Sequence, residues 1–151
     1  MQALIRLKNI LETAPPLLRA ISSHEAGQPL GPGKWSKKQE LGHLLDSACN
    51  NHHCIVRAQL EENPALSGYD GDRWVALHQY QDTEWEVIID RWRVMNEQLL
   101  QAASALSPQI AARNLTIDGG KPITLESLVN DYVSHLVHHL RHIGIGAAED
   151  S

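Results

Sequence analysis

No run of Lys or Arg occurs anywhere in the 151 residues, and the formal net charge is -5. With no basic patch in the sequence, the chain lacks the electrostatic footprint that nucleic acid or an anionic membrane surface demands, and neither is expected as a partner. Long apolar runs are missing too: no stretch reaches the roughly 18 residues of a membrane span. The start, "MQALIRLKNILETAPP", breaks its apolar residues with Arg6, Lys8 and Asn9, so it has no unbroken signal-peptide core. The expectation is a soluble, cytoplasmic protein. Cysteine is scarce, with only Cys49 and Cys54. Five positions apart on one helix, their side chains diverge too far for a disulfide, and they read as packed or free thiols. No Cys-x-x-Cys pair is present, which excludes a thiolate metal site of that kind. The sequon Asn114-Leu115-Thr116 carries no meaning in a cytoplasmic chain. There is no internal repeat, no low-complexity tract and no sustained strand pattern. The length suits one domain over 1–151, large enough to bury a core without covalent or metal staples. A bound metal would therefore serve chemistry rather than folding.

What remains is helical periodicity. Leu4, Ile5, Leu7, Ile10 and Leu11 recur at helical spacing, and Pro15-Pro16 predicts a kink or a division into two short helices. Turn-rich residues 22–34 follow. Ser36-Lys-Lys-Gln39 has the form of a capping box and announces a helix that can run to about Glu62, before Pro64. After a connection over 63–74, Thr83-Glu-Trp-Glu86 repeats the capping pattern. Behind it Trp85, Ile88, Ile89, Trp92, Met95, Leu99, Ala103 and Leu106 mark one apolar stripe. "LTIDGGKPIT" places a Gly-Gly turn between β-prone pieces and predicts a small hairpin. Thr124 can then cap a last helix that Gly144 ends. Four main helices without a strand pattern give an all-α four-helix bundle.

The last helix carries "DYVSHLVHHLRHIGIG", with His135, His138, His139 and His142 inside eight residues. Its apolar residues, among them Leu128, Tyr132, Leu136 and Leu140, fix a core direction. Turning about 100° per residue, His139 lies roughly 45° and His135 roughly 85° from that direction, while His142 and His138 look outward. The inner pair is four residues apart, so the two rings stand one turn above each other and can face one ion. The Glu of an H-E-x-x-H site is missing, and a third ligand must come from elsewhere. On the second main helix, periodicity favours His52, which sits on the stripe of Leu41, Leu45, Ala48, Ile55 and Val56. His43 lies on a face of Ser47, Asn50 and Cys54, small or polar residues suited to lining a cavity. The residues leave that choice open.

"GKWSKKQELGHLLDSACNNHHCIVRAQL", "YDGDRW" and "ITLESLVNDYVSHLVHHLRHI", in that order, resemble the DinB-like superfamily, and within it the YfiT-type branch that includes bacillithiol transferases. The resemblance implies a four-helix bundle that binds one divalent metal through His43, His135 and His139, with zinc, nickel, manganese and iron all suited to imidazole. It implies transfer of a low-molecular-weight thiol to an electrophilic small molecule, the metal holding and deprotonating the thiol, and it implies a homodimer. Three imidazoles leave coordination positions open, as catalytic sites do. The same centre suits hydrolysis by a metal-bound hydroxide, and a non-catalytic metal-binding dimer is the alternative of a different class. Asp46, three residues after His43, is a candidate for orienting a ligand, against a plain capping or exposed role. Tyr69 and Asp70 are expected to border a pocket mouth, Trp74 to pack, Trp35 to anchor the helix entrance, and His138 and His142 to form a solvated face.

Overall fold

A computed structural model describes residues 1–146, so residues 147–151 of the expected single domain lie outside the described part. Its elements are α1 (Gln2–Arg19), α2 (Ser23–Ala26), α3 (Lys37–Leu60), β1 (Ala65–Leu66), α4 (Gly71–His78), a 3-10 turn (Tyr80–Asp82), α5 (Trp85–Ala103), α6 (Pro108–Ala111), β2 (Asn114–Ile117), β3 (Ile123–Thr124) and α7 (Leu125–Ile143). The four long helices α1, α3, α5 and α7 form the bundle. Helix α3 lies against both α5 and α7, and α1 closes the other side of that pair.

Of the two outcomes expected at the N-terminal prolines, a kink or a division, the division does not occur. Pro15 and Pro16 sit inside one continuous helix, with Ala14, Pro15 and Leu18 buried. The prolines lack the N–H groups that would otherwise bond the Leu11 and Glu12 carbonyls. The indole N–H of Trp85 donates to the Leu18 carbonyl at 2.9 Å, so a helix-end acceptor is satisfied from α5.

The capping box of Ser36 and Gln39 forms as the pattern predicts. Its counterpart at Thr83 does not: Glu84 is the N-cap of α5 and makes no side-chain cap bond. The Thr83 hydroxyl instead donates to the Gln79 carbonyl, 3.3 Å away, because the 3-10 turn draws it back toward the preceding segment. The stripe on α5 is buried from Trp85 to Ala103 except for a half-buried Met95, and Leu106 falls beyond the helix end. Thr124 caps α7, and Gly144 ends it in the left-handed region at φ 102°.

The expected hairpin is present. Strands β2 and β3 pair antiparallel, with Asp118 and Gly119 at positive φ in the turn. Strand β1, which no periodicity announced, pairs parallel with β2. It forms from the connection between the second and third main helices. The rest of that connection winds into α4, capped by Asp70, whose side chain accepts from the Arg73 N–H. Helix α4 and the turn after it lie against α3. Their approach depends on Gly42, where an added Cβ would stand 2.1 Å from Cδ2 of Tyr80.

Candidate metal centre

Helix α3 is amphipathic over its first half on two faces at once. Leu41, Leu44, Leu45 and Ala48 bury one side. His43, Ser47 and Glu40 share the other, and this polar face is turned toward α7. Helix α7 supplies His135 and His139 from adjacent turns, as i, i+4 geometry requires. The three rings meet inside the bundle: centroids are 5.0 Å apart for His43 and His135, 4.6 Å for His43 and His139, and 4.5 Å for His135 and His139. One ligand atom from each lies within 4.8 Å of the other two.

The nitrogen positions show whether the group suits a cation. Nε2 of His43 and Nε2 of His135 are 3.2 Å apart. Two nitrogens each about 2.0–2.1 Å from a tetrahedral zinc stand about 3.3 Å apart, so this edge is already of the right length. Nδ1 of His139 is taken by Glu40 Oε2 at 2.6 Å, which leaves its Nε2 as the free nitrogen. Nδ1 of His135 is 3.4 Å from the Ser47 hydroxyl, which accepts from the Asn51 side-chain amide. Two of the three rings thus have a carboxylate or hydroxyl behind them, and the acceptor-only Glu40 carboxylate places the proton of His139 on Nδ1, as metal ligation through Nε2 requires. Nδ1 of His43 is buried with no partner among the described residues. It faces Gly71 at the start of α4, where a Cβ would come within 3.2 Å of that nitrogen.

Electrostatics favour neutral His43 and His135 beside an ionised Glu40. Burial, with the neighbouring His139 and His43, pushes His135 down to about 4. Burial and His139 also lower His43, against the opposing pull of Glu40 and Asp72. Burial alone would raise Glu40, but hydrogen bonds and charge from His139 and His142 outweigh it and hold the carboxyl below its ordinary value. At neutral pH His43 and His135 therefore offer imidazole lone pairs, the form a divalent ion requires. Trp35 covers His43 at a centroid distance of 5.1 Å. Beside it opens a cleft of about 540 Å³, lined by Leu30, Lys34, Trp35, Glu40, Asp72 and His142.

A family model described as the DinB superfamily matches residues 6–143. The chain belongs to the DinB superfamily. Among curated relatives of the chain, a protein of Oceanobacillus iheyensis named "Putative metal-dependent hydrolase OB0782" is 26% identical over 139 residues, covering 89% of this chain and 80% of that protein. YfiT of Bacillus subtilis, named in the same way, is 26% identical over 139 residues, covering 89% of this chain and 78% of YfiT. The solved structure of YfiT, described as "a probable metal-dependent hydrolase with an unusual four-helix bundle topology", superposes with a TM-score of 0.84 at 23% identity, covering 95% of this chain and 82% of that one. A mycothiol-dependent maleylpyruvate isomerase shares the fold at a TM-score of 0.76 and 14% identity, with 95% of this chain and 60% of that chain covered.

Of the positions that the DinB resemblance singled out, His43, His135 and His139 are brought together, and the group can hold a metal ion. His52, which periodicity favoured, points instead to α5, beside Val94, Glu97 and Gln98. Asp46 does not reach the cluster's rings. Its Oδ1 accepts from the Tyr80 hydroxyl at 2.6 Å and lies 3.0 Å from His78 Nδ1. Trp74 is half-buried, tilted against Tyr69 at 4.8 Å, rather than packed in the core. His138 is exposed as expected. His142, expected in the same solvated face, also places Nδ1 3.2 Å from Glu40 Oε1. Glu40 and Ser47 are the site residues whose roles sequence reasoning missed. The available signal was spacing on α3, since Glu40, His43 and Ser47 lie three and four residues apart, on one face.

Proposed function

We propose that this protein is a metal-dependent enzyme that transfers a low-molecular-weight thiol to an electrophilic small molecule. The observation that carries the reading is the convergence of His43, His135 and His139, backed by Glu40 and Ser47, beside an accessible cleft. The three histidines would hold one divalent ion, of zinc, nickel, manganese or iron, through imidazole nitrogen. Such an ion supplies a Lewis acid that favours the thiolate of a bound thiol or activates water. The residues around it do the positioning. Glu40 keeps the N–H of His139 at Nδ1, and Ser47 anchors Nδ1 of His135, so the opposite nitrogens face the centre. Trp35 shields His43 from water, and the Lys34 ammonium at the cleft is suited to a substrate carboxylate.

The thiol assignment draws its support from the resemblance to bacillithiol transferases and from the shared fold of a mycothiol-dependent enzyme. Hydrolysis is the second reading, favoured by the names of the relatives. To separate them, metal-loaded protein is assayed for consumption of an alkyl halide or epoxide with and without small thiols. Thiol-dependent product that disappears in His135→Ala supports transfer. Product formation from an activated ester that is indifferent to thiol would replace transfer by hydrolysis, and a metal-loaded protein inactive in both assays would leave only a binding role.

A further inference from the structure

A second cleft, of about 640 Å³, opens between α3, α4 and α5. None of its lining residues belongs to the histidine cluster or to the cleft beside it. Its size falls within the roughly 300–1,000 Å³ typical of small-molecule sites. The apolar walls are Leu45, Trp74, Val94 and Met95, and Asp46, Tyr80 and His78 form a polar corner.

Asp46 is only 2% exposed, yet its carboxylate is incompletely satisfied. Oδ1 has two partners, the Tyr80 hydroxyl and His78 Nδ1, while Oδ2 is buried without any among the described residues. Gly42 lets the Tyr80 ring lie directly on α3, which brings its hydroxyl to Asp46. The His78 ring stands 6.0 Å from the Trp74 centroid and 5.3 Å from that of Tyr80. Its side chain is 43% exposed, against 3% for that of Asp46. A buried anion flanked by two aromatic rings is the chemistry that takes up an organic cation. Here the corner is covered by a nitrogen heterocycle of the chain itself, on a side chain free enough to swing away.

We propose that this cleft binds a small organic amine, whose ammonium group replaces His78 on the Asp46 carboxylate between Trp74 and Tyr80, with its apolar part along Leu45, Val94 and Met95. Oδ2 supplies the further acceptor that an ammonium with several N–H donors uses and that one imidazole N–H does not. Asp90 and Arg91 stand together at the exposed rim, where water screens both charges. The site requires no metal.

The test titrates the full chain with phenethylamine and, as matched probes, 2-phenylethanol and phenylacetate, following the Trp74 indole N–H by NMR. Only the amine is expected to saturate. Asp46→Asn should weaken it about 10- to 100-fold, the range for a hydrogen bond to a charged group. His78→Ala should tighten it, because the competing imidazole is gone, and a merely structural role for His78 predicts no such gain. Binding should persist in His139→Ala. Equal binding of the alcohol or the acid, weaker amine binding in His78→Ala, loss in His139→Ala, or no saturation by the amine at all would each overturn the proposal.

Discussion

Glu40→Gln tests whether the carboxylate behind His139 prepares the histidine centre for a cation. The substitution keeps the shape of the side chain and an acceptor oxygen but removes the charge. Glu40 is 7% exposed, and its oxygens lie 2.6 Å from His139 Nδ1 and 3.2 Å from His142 Nδ1. A charged hydrogen bond of this kind is worth about 1.5–3 kcal/mol, against about 1 kcal/mol for a neutral one. The amide also offers an NH2 group that can turn toward His139 and favour the wrong tautomer, with the proton on Nε2. Loss of about 1.4–2.8 kcal/mol corresponds to a 10- to 100-fold weaker metal affinity, the range found when an outer partner of a ligating histidine is replaced. Competition against a chromophoric chelator at neutral pH, wild type beside Glu40→Gln, reads this directly. The metal-free variant should melt below the wild-type temperature at neutral pH, since the charged hydrogen bonds that hold the Glu40 carboxyl below its ordinary value are lost. If affinity stays within about twofold of wild type, well below the outer-partner range, Glu40 does not position His139 for a metal.

Three further outcomes are expected. Alanine at His43, His135 or His139 should cut metal affinity by more than about 100-fold, beyond the effect of an outer partner; alanine at His52 or His138 should leave it unchanged, and equal losses at His138 and His139 would overturn the face assignment. Stability of the metal-free chain should depend on acid: with His135 held near 4 by burial, the unfolded chain takes up its proton first, at an ordinary pKa of about 6.5. Stability is therefore full above about pH 6.5 and falls by about 2–3 kcal/mol between there and pH 4, by proton linkage. Urea midpoints that stay flat across that window, or that do not flatten in His135→Gln, contradict the placement. Gly42→Ala should lose about 1–3 kcal/mol in urea unfolding, because overpacking against Tyr80 exceeds the gain of about 1 kcal/mol in helix propensity; an unchanged or higher midpoint would show that Tyr80 can move aside.

Local chemistry determined much of this protein before any tertiary contact. The capping box at Ser36, the cap at Thr124, the αL stop at Gly144 and the stripe from Trp85 to Ala103 all report interactions within a few residues, and each was legible in the chain. So was the inner face of α7, because the apolar residues that fix its direction lie on the same helix as His135 and His139. Where a decision involved a second element, the sequence stopped short. Periodicity on α3 placed His52 centrally, but α3 is covered on more than one side, and only the neighbours reveal that α7 faces His43 while α5 faces His52. The prolines of α1 allowed either a kink or a division, and only the structure shows one helix running through them. Thr83 matched a cap that the 3-10 turn before α5 pulls out of position. Glu40 is an ordinary first-turn acid by sequence, and its hold on His139 and His142 exists only once α3 and α7 are packed side by side. Periodicity fixes which way a side chain leaves its own helix; what it meets there is set by how the helices are arranged around one another.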